Sequence, residues 1–471
     1  MKEIRPPPVP DRPASPLPVA GGPELTACHL FRGRFLGMDP ITAGNLRPTR
    51  HRQQMNAKTL SLSLALLALA GGACAQPPEV GHPLPAWHEG ELDIHHVNTG
   101  RGDALFFILP DGTTLLEDAS GKTVEAPPFS LPTRPDASRP PGEWVARYIQ
   151  RVLPKGRRTI DYALISHFHG DHMGAIVEDS PSAPSGAYRL SGITLIPEFV
   201  PIATILDRGW PTYDFPAPIR GATVDNYRRF LDWQIAHRGL KVERFAPGRN
   251  DQIALLHEAD RYPTFEIRNL YSNGQVWSGK GNGTRNLFPP LETLAEREHP
   301  IENILSNAFV IRYGKFDYFS GGDLSDERVA LPDGTGTWKQ VEKPVAEAAG
   351  RIDAMKANHH GSWDANSGPF LATLQPRVIV VTSRAEGHPA VNTWNRFTSK
   401  ELWPDERDIF VTNVSGATAR TTYGIDKEAR STQGHVVIRA AAGGDSYRVF
   451  VLEDGDERMR VKAVFGPYTS N

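Results

Sequence analysis

The run His167-Phe168-His169-Gly170-Asp171-His172 constrains this 471-residue chain more than any other stretch. It follows directly on the apolar segment 160–166, which reads as a buried strand. In extended backbone His167 and His169 point to the same side, because side chains alternate with period two. Both can therefore grip one ion. Past the turn at Gly170, Asp171 and His172 reach toward a second ion nearby. Zinc accepts imidazole nitrogen and carboxylate oxygen at about 2.0–2.2 Å. A surface loop that merely happens to hold three histidines is the weaker explanation.

Two further pieces close a two-metal site. Asp323 follows Gly321-Gly322 at the end of the strand 316–320, and a carboxylate has two oxygens with which to bridge two ions. His359-His360-Gly361-Ser362 follows the strand 352–357. One of these histidines completes the shell of the second ion. The other stands in the cleft, able to donate to a phosphate or a leaving group. The only cysteines are Cys28 and Cys74, so nothing beyond residue 75 offers a thiolate ligand or a disulfide. Any metal there is held by histidines and carboxylates.

The N-terminal part has a different character. Residues 1–54 are rich in Pro and Arg and lack apolar periodicity, as expected of a disordered or mis-annotated leader. Residues 55–75 combine a basic start, an apolar run over 60–70 and the small-residue triplet Ala73-Cys74-Ala75. This is the pattern of a signal peptide cleaved near Ala75, and it predicts a periplasmic or secreted protein. The apolar run is too short to span a bilayer. Residues 76–89 read as a linker and 90–471 as one domain. The net charge is −2, and the first 75 residues hold more basic than acidic side chains. The remainder is thus the more acidic part, which disfavours non-specific polyanion binding. Nucleic acid then enters only as a substrate.

Strands are predicted at 91–97, 104–109, 113–116, 160–166, 308–313, 316–320, 352–357, 378–382, 409–411, 435–440 and 447–452. Helices are predicted at 144–153, 225–237, 341–349, 369–374 and 393–400. Between 180 and 300 the pattern is irregular and rich in aromatics, as for an insertion that walls a cleft. Strands followed by helices, twice over, point to an α/β protein with sheets inside and helices outside.

The order of these pieces resembles the metallo-β-lactamase superfamily. Within it the chain looks most like the hydrolase domain of the DNA-uptake protein ComEC and its secreted relatives. The stretches that carry the resemblance are 97–104, Leu115-Leu116-Glu117-Asp118, 167–174, Asn303-Ile304-Leu305-Ser306, Gly322-Asp323, His359 to Ser362, and Gly387-His388-Pro389. The resemblance implies an αββα sandwich, two mixed sheets flanked by helices, with metals at one edge. It implies that His167 and His169 hold the first ion. Asp171, His172 and His360 would hold the second, with Asp323 between the two. Asp171, His359 and His388 are the candidate catalytic residues. Asn303 stands where many members of the superfamily carry another histidine. Zinc is the expected metal, as two ions, with manganese the alternative because softer and harder donors are mixed.

Several neighbours are ambiguous in sequence. His299 is a substitute for the missing ligand. Asp103 and Asp118 are either turn residues or carboxylates that orient a histidine. His388 lines the cleft or merely precedes a proline, and His95-His96 reads as structural. The implied activity is hydrolysis of a phosphodiester by a metal-activated water. A lactone or β-lactam hydrolase is the enzymatic alternative. A metal-binding module without catalysis is the non-enzymatic one.

Overall fold

The apolar strands are buried on both faces, which is why they read as runs and not as alternations. In the computed structural model, which describes residues 80–121, 130–326 and 337–471, they assemble into two sheets. The leader, the proposed signal peptide and the start of the linker lie outside the described residues.

The first sheet contains β1 (Leu92–His96), β2 (Leu105–Ile108), β3 (Thr114–Glu117), β4 (Ile160–Leu164), β5 (Ile202–Asp207) and β6 (Lys241–Arg244). The second contains β7 (Phe265–Ser272), β8 (Gln275–Trp277), β9 (Thr284–Asn286), β10 (Ala308–Tyr313), β11 (Phe316–Ser320), β12 (Ala354–Lys356), β13 (Val378–Val381) and β14 (Asp408–Val411). The chain then returns to the first sheet with β15 (His435–Ala440), β16 (Ser446–Leu452) and β17 (Val461–Thr469). The strand orders are β17-β16-β15-β1-β2-β3-β4-β5-β6 and β14-β13-β12-β11-β10-β7-β8-β9. Both sheets are mixed: β3 to β6 and β11 to β14 run parallel, and the other pairs are antiparallel.

The α-helices among the described residues are α1 (Pro141–Val152), α2 (Gly170–Met173), α3 (Ala222–Arg238), α4 (Glu342–Ala349), α5 (Gly368–Leu374), α6 (Val391–Thr398), α7 (Gly416–Thr421) and α8 (Ile425–Glu428). Helix α1 opens with Pro141, whose fixed φ and missing N–H suit a first turn.

Period-two alternation divides the strand side chains between three cores. Leu92, Ile94, Leu105 and Phe107 meet Phe309, Ile311, Phe316 and Tyr318 between the sheets. The intervening residues Phe106, Ile108 and Leu116 pack against Val145 and Ile149 of α1 and Phe230 and Leu231 of α3. On the other side Val310, Phe319 and Met355 pack against Val345 of α4, Phe370 of α5 and Trp394 of α6. The result is the four-layer αββα sandwich implied by the sequence motifs. The stretch 180–300, irregular in sequence, supplies β5 and β6 to one sheet and β7, β8 and β9 to the other. Among the described residues no helix is long and apolar enough to cross a membrane.

Candidate metal centre

The parallel strands of both sheets release their chemistry-bearing residues at C-terminal ends. Strand β4 ends at Leu164 and leads through Ser166 to His167; His169 is the N-cap of the single-turn helix α2, which carries Asp171 and His172. Strand β11 ends in the turn to Asp323, and β12 ends in the turn bearing His359 and His360.

The backbone holding these side chains is tightly constrained. Gly102 has φ +137°, and a Cβ there would lie 1.8 Å from the Asp171 carbonyl oxygen. Only glycine admits that approach, which lets Asp103 N donate to Asp171 O at 3.1 Å. His359 and His360 both adopt left-handed backbone, with φ +47° and +54°. Such strain persists only where the surroundings impose it. Here the buried Glu342 carboxylate accepts from Asn358 Nδ2 (3.0 Å), Asn366 N (2.6 Å) and Ser367 N (2.7 Å).

Asp171, His172, Asp323 and His360 converge. His172 Nε2 lies 3.0 Å from Asp323 Oδ2 and 3.7 Å from Asp171 Oδ2. His360 Nε2 lies 3.1 Å from Asp171 Oδ2 and 3.4 Å from Asp323 Oδ2. A second group joins the same aspartate: His167 Nε2 is 3.0 Å from His169 Nδ1 and 3.9 Å from Asp323 Oδ2. All are buried except His169, which faces solvent.

The tautomers follow from the hydrogen bonds. Asp118 Oδ2 accepts from Ser166 Oγ at 2.6 Å and faces His172 Nδ1 at 2.7 Å. Having given its proton to Asp118, Ser166 Oγ can only accept from His167 Nδ1, 3.1 Å away. His360 Nδ1 faces the Thr382 carbonyl oxygen at 2.8 Å. With Nδ1 carrying the proton, all three imidazoles present an Nε2 lone pair toward the shared carboxylates. Lone pairs facing carboxylate oxygens repel unless a cation stands between them.

The charge balance makes the same demand. Burial disfavours the imidazolium of His172, yet Asp323, Asp118 and Asp171 outweigh it and hold its pKa well above the ordinary value. Against the same burial cost, Asp323 and Asp103 lift that of His360 to about 10. The site thus calls for positive charge, as protons or as metal. Nε2 of His172 and Oδ1 of Asp323 are buried with no hydrogen-bond partner among the described residues. Donors about 2.0–2.2 Å from one zinc stand roughly 3.3–3.6 Å apart in a tetrahedron, which matches the separations here. The donor set therefore fits a metal.

Asp103, with His172, Asp323 and His360, also has a ligand atom within 4.8 Å of the others. It approaches the two imidazoles from their Nδ1 side, at 3.2 Å from His360 and 3.8 Å from His172. One imidazole cannot turn both nitrogens to the same ion, so the Nε2 partner Asp171 is the better member of that group. Asp103 and Asp118 both face imidazoles from the Nδ1 side, away from the shared Nε2 donors.

His359 stands at the rim. Its Nδ1 is 2.9 Å from Asp364 Oδ1, and its Nε2 is 3.7 Å from Asp323 Oδ2 and 3.2 Å from Asn303 Nδ2. His388 stacks on His360, with centroids 5.4 Å apart and planes 12° from parallel. Burial, then the neighbouring His360, pushes its pKa well below the ordinary value. His299 binds the Leu291 carbonyl oxygen (3.1 Å) and belongs to neither ligand group. His95 and His96 are buried against Tyr148 and Tyr318.

Other contributors escape sequence reasoning. Arg384 Nε forms an ion pair with Asp171 Oδ2 at 2.6 Å. Glu302 accepts from Phe168 N at 2.8 Å and is paired with Arg208, whose guanidinium lies over the Phe168 ring. Lys356 is fully buried. A lysine inside an otherwise buried strand is the one signal of these that the sequence offers.

No protein-family model matches this sequence, and no curated protein matches it. Solved structures with some similarity include CmlA, a diiron β-hydroxylase from Streptomyces venezuelae, at 14% identity and a TM-score of 0.35. That match covers 76% of this chain and 55% of CmlA, so the chain spans about half of that protein's length. Zn(2+)-bound PqqB from Methylobacterium extorquens is 13% identical with a TM-score of 0.36, covering 69% of this chain and 98% of PqqB. Likeness this low says nothing about the chemistry of this chain.

Proposed function

We propose that this chain is a metal-dependent hydrolase that cleaves phosphodiesters, of the metallo-β-lactamase type and its ComEC-like branch. The observation that carries this reading is the Asp323 carboxylate, which lies within reach of both histidine groups at once. In this reading His167, His169 and Asp323 hold one ion, and Asp171, His172, His360 and Asp323 hold the other. Zinc suits the imidazole-rich donors, with manganese as the alternative. When bound, such ions supply hydroxide at neutral pH and neutralise charge that builds on the attacked centre.

The remaining residues have definable tasks. Asp171 is pinned by Arg384, which keeps its carboxylate oriented and adds a cation beside an anionic substrate. Asp364 holds Nδ1 of His359, so Nε2 is aimed at the cleft and can pass a proton to a leaving oxygen. His388, kept neutral by burial, stacks on the His360 ring and holds it in place. The motif stretches named above, far apart in sequence, meet through contacts such as Asn303 with His359 and His388 with His360. The basic start, apolar run and small-residue triplet of residues 55–75 support export.

The test is a side-by-side assay of the metal-loaded chain and its Asp171→Ala variant. Substrates are bis-p-nitrophenyl phosphate, single-stranded DNA, nitrocefin and a lactone, each with zinc and with manganese. Phosphodiester turnover that disappears in the variant is the expected result. Lactone or nitrocefin hydrolysis with no phosphodiester turnover would overturn it. N-terminal sequencing of the exported protein should begin at Gln76.

A further inference from the structure

Three segments of the metal centre meet at one buried amine. Lys356 lies at the end of β12 with no exposed surface. Its Nζ donates to the Gly322 carbonyl oxygen at 2.7 Å and to the Ala357 carbonyl oxygen at 3.1 Å. It also forms an ion pair with Asp103 Oδ2 at 2.7 Å. Each partner leads directly to a candidate ligand. Gly322 precedes Asp323, and its carbonyl oxygen also accepts from His359 N at 3.1 Å. Ala357 opens the left-handed turn that carries His360. The second oxygen of Asp103 faces His360 Nδ1 at 3.2 Å.

A buried ammonium is costly to desolvate, and an apolar side chain of similar volume often serves stability equally well or better. What an apolar residue cannot do here is fix three polar partners at one point. Those partners come from the β1–β2 loop of one sheet and from the ends of β11 and β12 in the other. We infer that Lys356 is a positioning residue for the ion proposed at His172 and His360. It acts through Asp323, His360 and Asp103, without touching ion or substrate. This inference rests on the two-ion reading proposed above.

The test is a cobalt titration of the full-length apoprotein, followed by visible absorption, on wild type, Lys356→Met, Lys356→Met/Asp103→Asn and His360→Ala. Wild type is expected to take up two ions. Lys356→Met should retain one and bind the other ~10- to 100-fold more weakly, the range typical of lost outer-shell partners. The weakened ion should be the one that His360→Ala also loses. The double variant removes both buried charges and should regain a wild-type melting temperature. It should still bind that ion weakly, because the Gly322 and Ala357 carbonyls lack their donor. It also carries the test if Lys356→Met does not fold. Wild-type affinity for both ions in either variant overturns the inference. If wild type binds no cobalt, the metal-centre reading itself fails.

Discussion

At the scale of single residues, Asp118 does more than its place after a strand suggests. It fixes Nδ1–H on His172 directly and on His167 through Ser166, so one carboxylate aligns imidazoles of both groups. Asp118→Asn is therefore expected to weaken zinc binding ~10- to 100-fold while leaving the fold intact. Competition with a chromophoric chelator measures this, and unchanged affinity would dismiss the alignment role. A second comparison isolates Asp323. Its replacement by Ala should lower the bound metal to less than one equivalent, whereas His167→Ala should leave close to one, read by metal analysis after dialysis. The histidines and aspartates of the site were legible because His and Asp at such spacing have few other uses beside a strand end. Arg384 was not, because its partner Asp171 lies far away in the chain and no local pattern connects them. Asn303 sits by His359, and His299, bound to the Leu291 carbonyl oxygen, belongs to neither histidine group.

At the scale of elements, strands buried on both faces announced themselves as apolar runs. Strands β5 to β9 and β17 escaped: β6 is Lys-Val-Glu-Arg, β9 is the exposed Thr-Arg-Asn and β17 contains Gly466-Pro467, whereas the apolar β5, Ile-Ala-Thr-Ile-Leu-Asp, was lost in the irregular stretch around it. Strand β3 ends in Glu117, fully buried beside Asp118, with Ser320 Oγ donating to its Oε1. Burial first, and Asp118 second, raise its pKa from 4.5 to about 8. The folded state thus favours the protonated acid. Its contribution is fully present below pH 4.5, falls as the unfolded chain ionises, and is gone once pH passes about 8. Glu117→Gln cannot ionise, so its melting temperature should fall less than that of wild type between pH 5 and 8, by calorimetry. Parallel curves would contradict this. The loop before β2 makes a separate demand. Gly102→Ala forces a Cβ onto the Asp171 carbonyl and should cost ~2 kcal/mol or more in urea unfolding.

At the scale of the whole molecule, the sandwich depends on contacts such as Phe107 against Phe309 and Tyr318, at centroid distances of 6.0 and 5.9 Å between the two sheets. Phe107→Ala should cost about 3–5 kcal/mol, read from the urea midpoint. Layering was legible from the order of strands and helices. The exchange of the chain between sheets was not, because pairing of β1 with β15 joins segments that share no local signal. That pairing sets a timetable for biosynthesis. The second sheet is one continuous stretch of chain, but the first is begun at residue 92 and completed only when β15 to β17 arrive. Until residues 435–440 leave the ribosome, one side of β1 is an open edge, a template for pairing with other chains. Chains stopped at residue 430 should collect in the insoluble fraction, while full-length Asp323→Ala stays soluble. The half of the site that comes from the first sheet, His167 to His172, is thus made early and waits for a seam that the last strands of the protein close.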